Sequence, residues 1–198
     1  MTASEFRSYV FSLPHAALEF RVDVPASLDY SRRFAHHGTG FVFAVAEVRL
    51  STLGDSVLVL PATHPGNFIE DLRDLRRRMA SPLAVSGLEQ TIARGGWSDW
   101  MSGYWDRIRA DSSLENDEEI YERLAPLSFA QSNLGKIAVY QYDSTPLLEI
   151  SAELRSAVDV GETGGGAVIW TQFDSAVHAR QLQAIVSEME SDVRALLN

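Results

Sequence analysis

The sequence predicts an α+β fold, in which an antiparallel sheet built from hairpins is covered by helices and a long helix closes the chain. Strand-like segments come in pairs separated by short turn sequences, whereas a parallel sheet would alternate strands with helices. The helical patterns are grouped between and after these pairs. The chain has 198 residues, of which 45% are apolar and 22% charged. This length and composition favour a single domain spanning residues 1–198.

The chain begins with two predicted strands and a short helix. Residues 5–12 and 17–24 favour strands, and the second segment alternates apolar with charged side chains. Pro25 then interrupts the strand pattern. Residues 27–37 repeat apolar side chains at helical spacing and are followed by a Gly-Thr-Gly sequence. We therefore expect a helix over 27–37.

A hairpin and a longer helix are predicted next. Residues 41–50 and 56–61 are apolar runs that flank a Leu-Gly-Asp sequence, which is typical of a β-hairpin. Residues 67–80 repeat apolar side chains at helical spacing. Asn67 and Glu70 have the spacing of a capping box, so the helix is expected to begin near Asn67.

The middle of the chain is predicted to be helical. A capping box at Ser86 opens a short helix that a Gly-Gly pair ends. Residues 97–110 form a second helix that carries most of the tryptophans. A third helix over 117–125 also follows a capping box and is closed by Pro126.

Strands return before the closing helix. Residues 136–142 and 146–151 flank a second turn sequence, and residues 167–173 form a last strand. Asp174 or Ser175 then caps a long helix that runs to the chain end. Its apolar positions lie on one helical face: Leu182, Ile185, Val186, Met189, Val193, Leu196 and Leu197.

Charge is unevenly distributed along the chain. The net charge is −10, and residues 101–198 carry 16 acidic but only 7 basic side chains. Repulsion from phosphates argues against nucleic-acid binding, whereas a basic protein partner would be attracted. The only lysine is Lys136, a usage typical of GC-rich bacterial genomes.

The cellular setting is predicted from what the sequence omits. It has no cysteine, which excludes disulfides and thiolate metal ligands and favours the cytoplasm. The first residues include Glu5 and lack the apolar core of a signal peptide. No apolar run approaches the length of a membrane span. We therefore expect a cytoplasmic protein with no membrane association.

No motif for a cofactor, a metal or a nucleophile is complete. The glycine-rich segment 161–166 lacks the Lys-Ser/Thr of a phosphate-binding loop. The histidines do not have metal-ligand spacing, and Ser86 lacks the glycine pattern of a nucleophile elbow. We expect no cofactor, no metal and no catalytic residue. An enzymatic alternative would assemble a site from distant residues: His36, His37, His64 and Asp55.

The predicted helix 97–110 has one continuous apolar face. At helical spacing, its large side chains fall within an arc of about 140°: Trp97, Trp100, Met101, Tyr104, Trp105 and Ile108. So much aromatic surface is rarely left exposed on a monomer. Three interpretations stay open, namely packing on the sheet, covering by a partner, and an aromatic cradle for a sugar or another flat ligand.

An acidic segment follows this helix directly. Its members are Asp111, Glu115, Asp117, Glu118, Glu119 and Glu122, with no basic residue among them. Three interpretations stay open: a solvated helix N-terminus, a docking face for a basic partner, and a calcium site, although the spacing does not match an EF-hand loop.

A basic cluster on the predicted helix 67–80 has the opposite sign. It consists of Arg73, Arg76, Arg77 and Arg78. Glu70 can pair with Arg73, and Asp74 with Arg78, at helical spacing. We expect most of this cluster to be a solvated face that complements the acidic segment.

Together these features favour a non-enzymatic bacterial protein-binding module, of the kind that inhibits a basic partner as an immunity protein or antitoxin does. The alternatives are a small hydrolase or transferase and a homo-oligomeric scaffold. A homodimer is compatible with the protein-binding module and with the scaffold. The predicted partner-binding residues are Trp97, Trp100, Trp105, Asp111, Glu115, Asp117, Glu118, Glu119 and Glu122.

Overall fold

The computed structural model contains two four-stranded sheets and three helices within the residues that it describes. The α+β prediction is confirmed, including the hairpins and the long C-terminal helix. The described residues are 6–34, 46–52, 56–60, 68–84, 109–110, 135–142, 144–153 and 166–197.

The first sheet is antiparallel and has the strand order β1-β2-β3-β4. Its strands are β1 (Phe6–Ser12), β2 (Ala17–Asp23), β3 (Ala46–Ser51) and β4 (Ser56–Leu60). Alternate side chains of β2 are buried, because Leu18, Phe20 and Val22 face the core. Between β3 and β4 the register shifts, and Val59 is the extra residue of a bulge.

The second sheet is mixed and has the strand order β5-β6-β7-β8. Its strands are β5 (Leu83–Ala84), β6 (Gly135–Tyr142), β7 (Thr145–Glu153) and β8 (Gly166–Gln172). The predicted hairpin is present, because β6 pairs with β7 in the antiparallel direction. The parallel pairing of β5 with β6 differs from the all-antiparallel expectation. A two-residue strand shows no periodicity, so its pairing is invisible in the sequence.

Three helices complete the described architecture: α1 (Val24–Phe34), α2 (Phe68–Ala80) and α3 (Ser175–Leu197). Helix α1 begins three residues before the predicted start at residue 27. Asp23, the last residue of β2, caps it by accepting a 2.9 Å hydrogen bond from the amide of Ala26. Pro25 therefore lies in the first turn, where its missing N–H is tolerated.

Helices α2 and α3 pack against each other and against the apolar sides of both sheets. Leu72, Leu75 and Met79 of α2 are fully buried, as are Leu182 and Met189 of α3. The predicted apolar face of α3 is confirmed at its first four positions, and Val193 is partly buried against the same cluster. Strand β4 contacts β6 and β7. One hydrophobic core therefore includes residues from both sheets.

Candidate functional site

The predicted partner-binding residues all lie in the connection between β5 and β6. None of them falls within the described residues: Trp97, Trp100, Trp105, Asp111, Glu115, Asp117, Glu118, Glu119 and Glu122. Of the predicted helix 97–110, only Arg109 and Ala110 are described, and both are helical and exposed. The tryptophan face and the acidic segment therefore stay predictions.

The connection between β5 and β6 holds much of the acidic excess of the chain. Residues 85–134 carry nine acidic and four basic side chains, which is half of the net charge of −10. Six of the nine acids lie between Asp111 and Glu122.

Three of the four arginines of the basic cluster on α2 form ion pairs with neighbouring carboxylates. Arg73 binds Glu70 on its own helix and Glu190 on α3. The Asp74 carboxylate accepts hydrogen bonds from Arg78 at 2.8 Å and from Arg77 at 3.1 Å. The two predicted pairs, Glu70 with Arg73 and Asp74 with Arg78, are confirmed.

These hydrogen bonds also set the charge state of Asp74. Burial favours the neutral acid, but the hydrogen bonds and positive charges of Arg78 and Arg77 outweigh it and lower the pKa of the Asp74 carboxyl. The arginines of the cluster therefore form partly exposed ion pairs within α2 and between α2 and α3.

The outer face of the first sheet carries a second set of ion pairs. Glu47 on β3 accepts hydrogen bonds from Arg49 at 2.8 Å and from Arg21 of β2 at 2.5 Å. The register pairs Arg21 with Glu47, and Glu19 with Arg49. Opposite charges are therefore adjacent across the strands, and the two arginines compensate the charge of Glu47, which is buried. The guanidinium of Arg21 also lies 4.5 Å from the centre of the Phe6 ring.

A third charged cluster joins β1 to the end of α3. The Tyr9 hydroxyl donates a 2.7 Å hydrogen bond to Asp192, and Arg7 forms a 2.7 Å ion pair with the same carboxylate. Desolvation opposes ionisation of Asp192, but the hydrogen bonds from Tyr9 and Arg7 outweigh it and lower the pKa of the carboxyl. Burial and the bond to Asp192 raise the pKa of Tyr9.

A buried polar pair lies between the two central strands of the second sheet. The Tyr140 hydroxyl of β6 donates a 2.7 Å hydrogen bond to Glu149 of β7, and both residues are almost completely buried. A carboxylate in such surroundings requires hydrogen-bonding partners. The sequence prediction did not include this pair. The available signal was Glu149 itself, which interrupts the apolar run Pro-Leu-Leu-Glu-Ile of β7.

The histidines in the described ranges do not form a metal site. His15 is exposed, and His178 lies in the first turn of α3, where its ring packs edge-on against Phe11 and Phe173. In the described part of the chain, no cluster of three or more potential metal ligands occurs. The residues of the enzymatic alternative, His36, His37, His64 and Asp55, lie outside it.

Comparisons of the chain with protein-family models, with curated proteins and with solved structures found no match. Among the described helices, none combines the length and the apolar character needed to cross a membrane.

Proposed function

We propose that the protein is a non-enzymatic binding module that captures a basic protein, in the manner of an acidic immunity protein or antitoxin. The observation that carries this proposal is the segregation of charge. Residues 1–100 carry 11 acidic and 10 basic side chains, whereas residues 101–198 carry 16 acidic and only 7 basic ones. A bacterial cytoplasmic setting belongs to the same proposal.

Segregated charge has a direct consequence for association. Ion pairs with carboxylates already engage many arginines in the described part of the chain, including Arg7, Arg21 and Arg73. The field of the molecule is therefore dominated by the acidic excess, which includes the six carboxylates between Asp111 and Glu122. Such a field attracts a basic protein and raises its association rate.

The tryptophans supply the second part of the proposal. Electrostatic attraction alone gives fast but weak and unspecific binding, whereas buried aromatic side chains dominate the energetics of many interfaces. Trp97, Trp100 and Trp105 directly precede the acidic segment in the chain. We propose that they form the centre of the interface and that the carboxylates form its rim.

The test is affinity capture of native partners by the purified chain at low and high salt. We expect a basic protein to be recovered at equal molar amounts at low salt and to be lost as salt screens the attraction. Glu118→Gln with Glu122→Gln should weaken capture. The matched control is Glu188→Lys, which makes the same charge change at an exposed position of α3.

Two outcomes would contradict the proposal. One is the recovery of no basic protein at low salt. The other is equal weakening by the acidic-segment variant and by Glu188→Lys, which would mean that net charge, and not a defined acidic face, governs capture. Replacement of Trp100 by alanine then tests the aromatic centre, because the loss of a hot-spot side chain should weaken binding by roughly thirtyfold or more.

A further inference from the structure

Strand β1 is an edge of the first sheet, and its backbone groups alternate in direction. The amide of Leu13 donates to the carbonyl of Ala16 at 2.8 Å, directly beyond the pair of Ser12 with Ala17. In an antiparallel pair, hydrogen-bonded and non-bonded residue pairs alternate. The N–H and C=O groups of the even-numbered residues therefore point away from β2: Phe6, Ser8, Val10 and Ser12.

One end of this edge is already closed by a side chain. The amide group of Gln181 on α3 donates to the Ser12 carbonyl at 3.1 Å and accepts from the Ser12 N–H at 2.7 Å. A side-chain amide that makes both bonds replaces a neighbouring strand at that residue. In contrast, Ser8 and Val10 are exposed, and the outward backbone groups of Phe6, Ser8 and Val10 have no hydrogen-bond partner in the described part of the chain.

We propose that the open part of this edge binds β1 of a second copy of the chain, in an antiparallel pair with its two-fold axis at Ser8. In this register Ser8 lies opposite Ser8 of the second copy, and Phe6 lies opposite Val10. The three open residues of each strand then exchange about six backbone hydrogen bonds. Such an interface is isologous, which is the commonest symmetry of homodimers.

The side chains of β1 favour a second copy over an unrelated strand. On the outer face, the symmetry pairs Phe6 with Val10 twice, and the side chain of Val10 is 52% exposed in the single chain. On the inner face, Arg7 lies opposite Tyr9 of the second copy, which binds Asp192 of that copy. Each Arg7 guanidinium therefore approaches a second carboxylate of opposite charge.

The register also agrees with the position of Gln181. Pairing centred on Ser8 uses the open residues Phe6, Ser8 and Val10 and ends before Ser12, where the Gln181 amide occupies the backbone groups. A shift of the axis toward Ser12 would require this amide to be displaced. The side chain thus excludes registers in which Ser12 would pair with the added strand.

Salt dependence separates this dimer from the proposed capture of a basic partner. Two copies with a net charge of −10 each repel one another, so screening by salt strengthens the dimer. The same screening weakens the attraction to a basic partner. The dimer inference does not depend on the proposed function, and either can fail alone.

The test is sedimentation of the full chain from roughly 1 µM to 1 mM, at about 0.05 M and 0.5 M salt. The mass should rise from 21.9 kDa toward twice that value, at lower concentrations in high salt. Ser8→Lys places like charges on the two-fold axis and should weaken the dimer by about fivefold. Ser12→Lys makes the same change on the same exposed face outside the pairing register and should not weaken it.

A second variant acts on the backbone alone. Val10→Pro removes an N–H that has no partner among the described residues, at an edge position where proline is tolerated. It should weaken the dimer by about tenfold or more. Hydrogen exchange should show new protection at the amides of Ser8 and Val10 on dimerisation, whereas that of Tyr9 is protected in the monomer as well.

Three results would overturn the proposal. The first is a chain that stays monomeric at the highest concentration in high salt. This result would overturn the dimer even if the edge of β1 were found to bind a strand of another protein. The second is equal weakening by Ser8→Lys and Ser12→Lys. The third is a dimer whose new amide protection lies away from β1.

Discussion

Two tyrosine–carboxylate pairs in this protein differ in how much water reaches them. Tyr9 and Asp192 lie at a partly exposed junction of β1 with α3, and Arg7 completes that cluster. Tyr140 and Glu149 lie inside the second sheet with almost no exposure. The same chemical pair should therefore contribute differently to stability at the two places.

Asp192→Asn should make stability less dependent on pH on the acid side. The pKa of Asp192 is lower in the folded chain than its ordinary value, so its contribution is present above about pH 4 and is lost as the pH falls further. The pKa of Tyr9 is raised, so its contribution is lost only as the pH rises above about 10. Between these limits the free energy of unfolding of the variant should be about 1 kcal/mol lower than that of the native chain, because the cluster is partly exposed.

Urea unfolding at several pH values measures this effect. The difference between the native chain and Asp192→Asn should shrink as the pH is lowered from 5 toward 2. Asp29→Asn is the control, because Asp29 forms an exposed ion pair with Arg33 within α1. That change should stay within about 0.5 kcal/mol. A constant difference for Asp192→Asn at all acid pH values would disprove the assignment.

Tyr140→Phe should destabilise the protein more than Tyr9→Phe does. Removal of the Tyr140 hydroxyl takes a donor from a carboxylate that water does not reach, which typically costs about 1–3 kcal/mol. Asp192 keeps its ion pair with Arg7 and partial access to water when Tyr9 is changed. Denaturant unfolding of the two variants under the same conditions gives the comparison, and the reverse order would contradict it.

At the scale of elements, the sequence offered two candidates, Asp174 and Ser175, for the residue that caps the N-terminus of helix α3. The structure assigns the cap to Asp174, whose carboxylate accepts a 2.8 Å hydrogen bond from the amide of Val177. The ring of His178 also lies 2.8 Å from the carbonyl of Asp174. The cap is therefore the residue before Ser175, at the end of the segment that follows β8.

Asp174→Ala should lower the free energy of unfolding by about 1 kcal/mol, because the Val177 amide loses its acceptor and the helix loses a favourable negative charge. Ser175→Ala is the matched control and should have little effect. Thermal or urea unfolding measures both. If Ser175→Ala is the more damaging change, the cap has been assigned to the wrong residue.

Elements with local signals were predictable, and elements set by distant contacts were not. The alternation of β2 and the apolar face of α3 are local patterns, and both agree with the structure. Helix α1 begins earlier than predicted because Asp23 serves both as a strand residue and as a cap. The pairing of β5 with β6 depends on chain segments that folding brings together. The contact of Tyr140 with Glu149 depends on the register of the β6–β7 hairpin, which the sequence prediction did not specify. No window of the sequence reports such contacts.

At the scale of the whole molecule, one apolar core connects both sheets with α2 and α3. It contains Phe20 and Leu50 of the first sheet, Val139 and Ile150 of the second, and residues of both helices. A shared core makes the loss of one sheet destabilise the other. The prediction of a single domain therefore has a direct test.

The chain should unfold in one cooperative transition. Far-ultraviolet circular dichroism and tryptophan fluorescence should give the same midpoint in urea, and the calorimetric and van't Hoff enthalpies should agree. Val59→Ala, in β4 where the two sheets meet, should shift both signals together. Two separate midpoints would instead indicate that the chain contains independently stable units.

The short strand β5 has a consequence for the order in which the protein folds. Four residues connect β1 to β2 and two connect β6 to β7, whereas fifty separate β5 from β6. Closing the longer connection costs about 2 kcal/mol more in chain entropy than closing the short ones. Only two residue pairs compensate for it. We expect β5 to join the sheet after the rate-limiting step, so Leu83→Ala should accelerate unfolding in stopped-flow experiments and leave the folding rate unchanged.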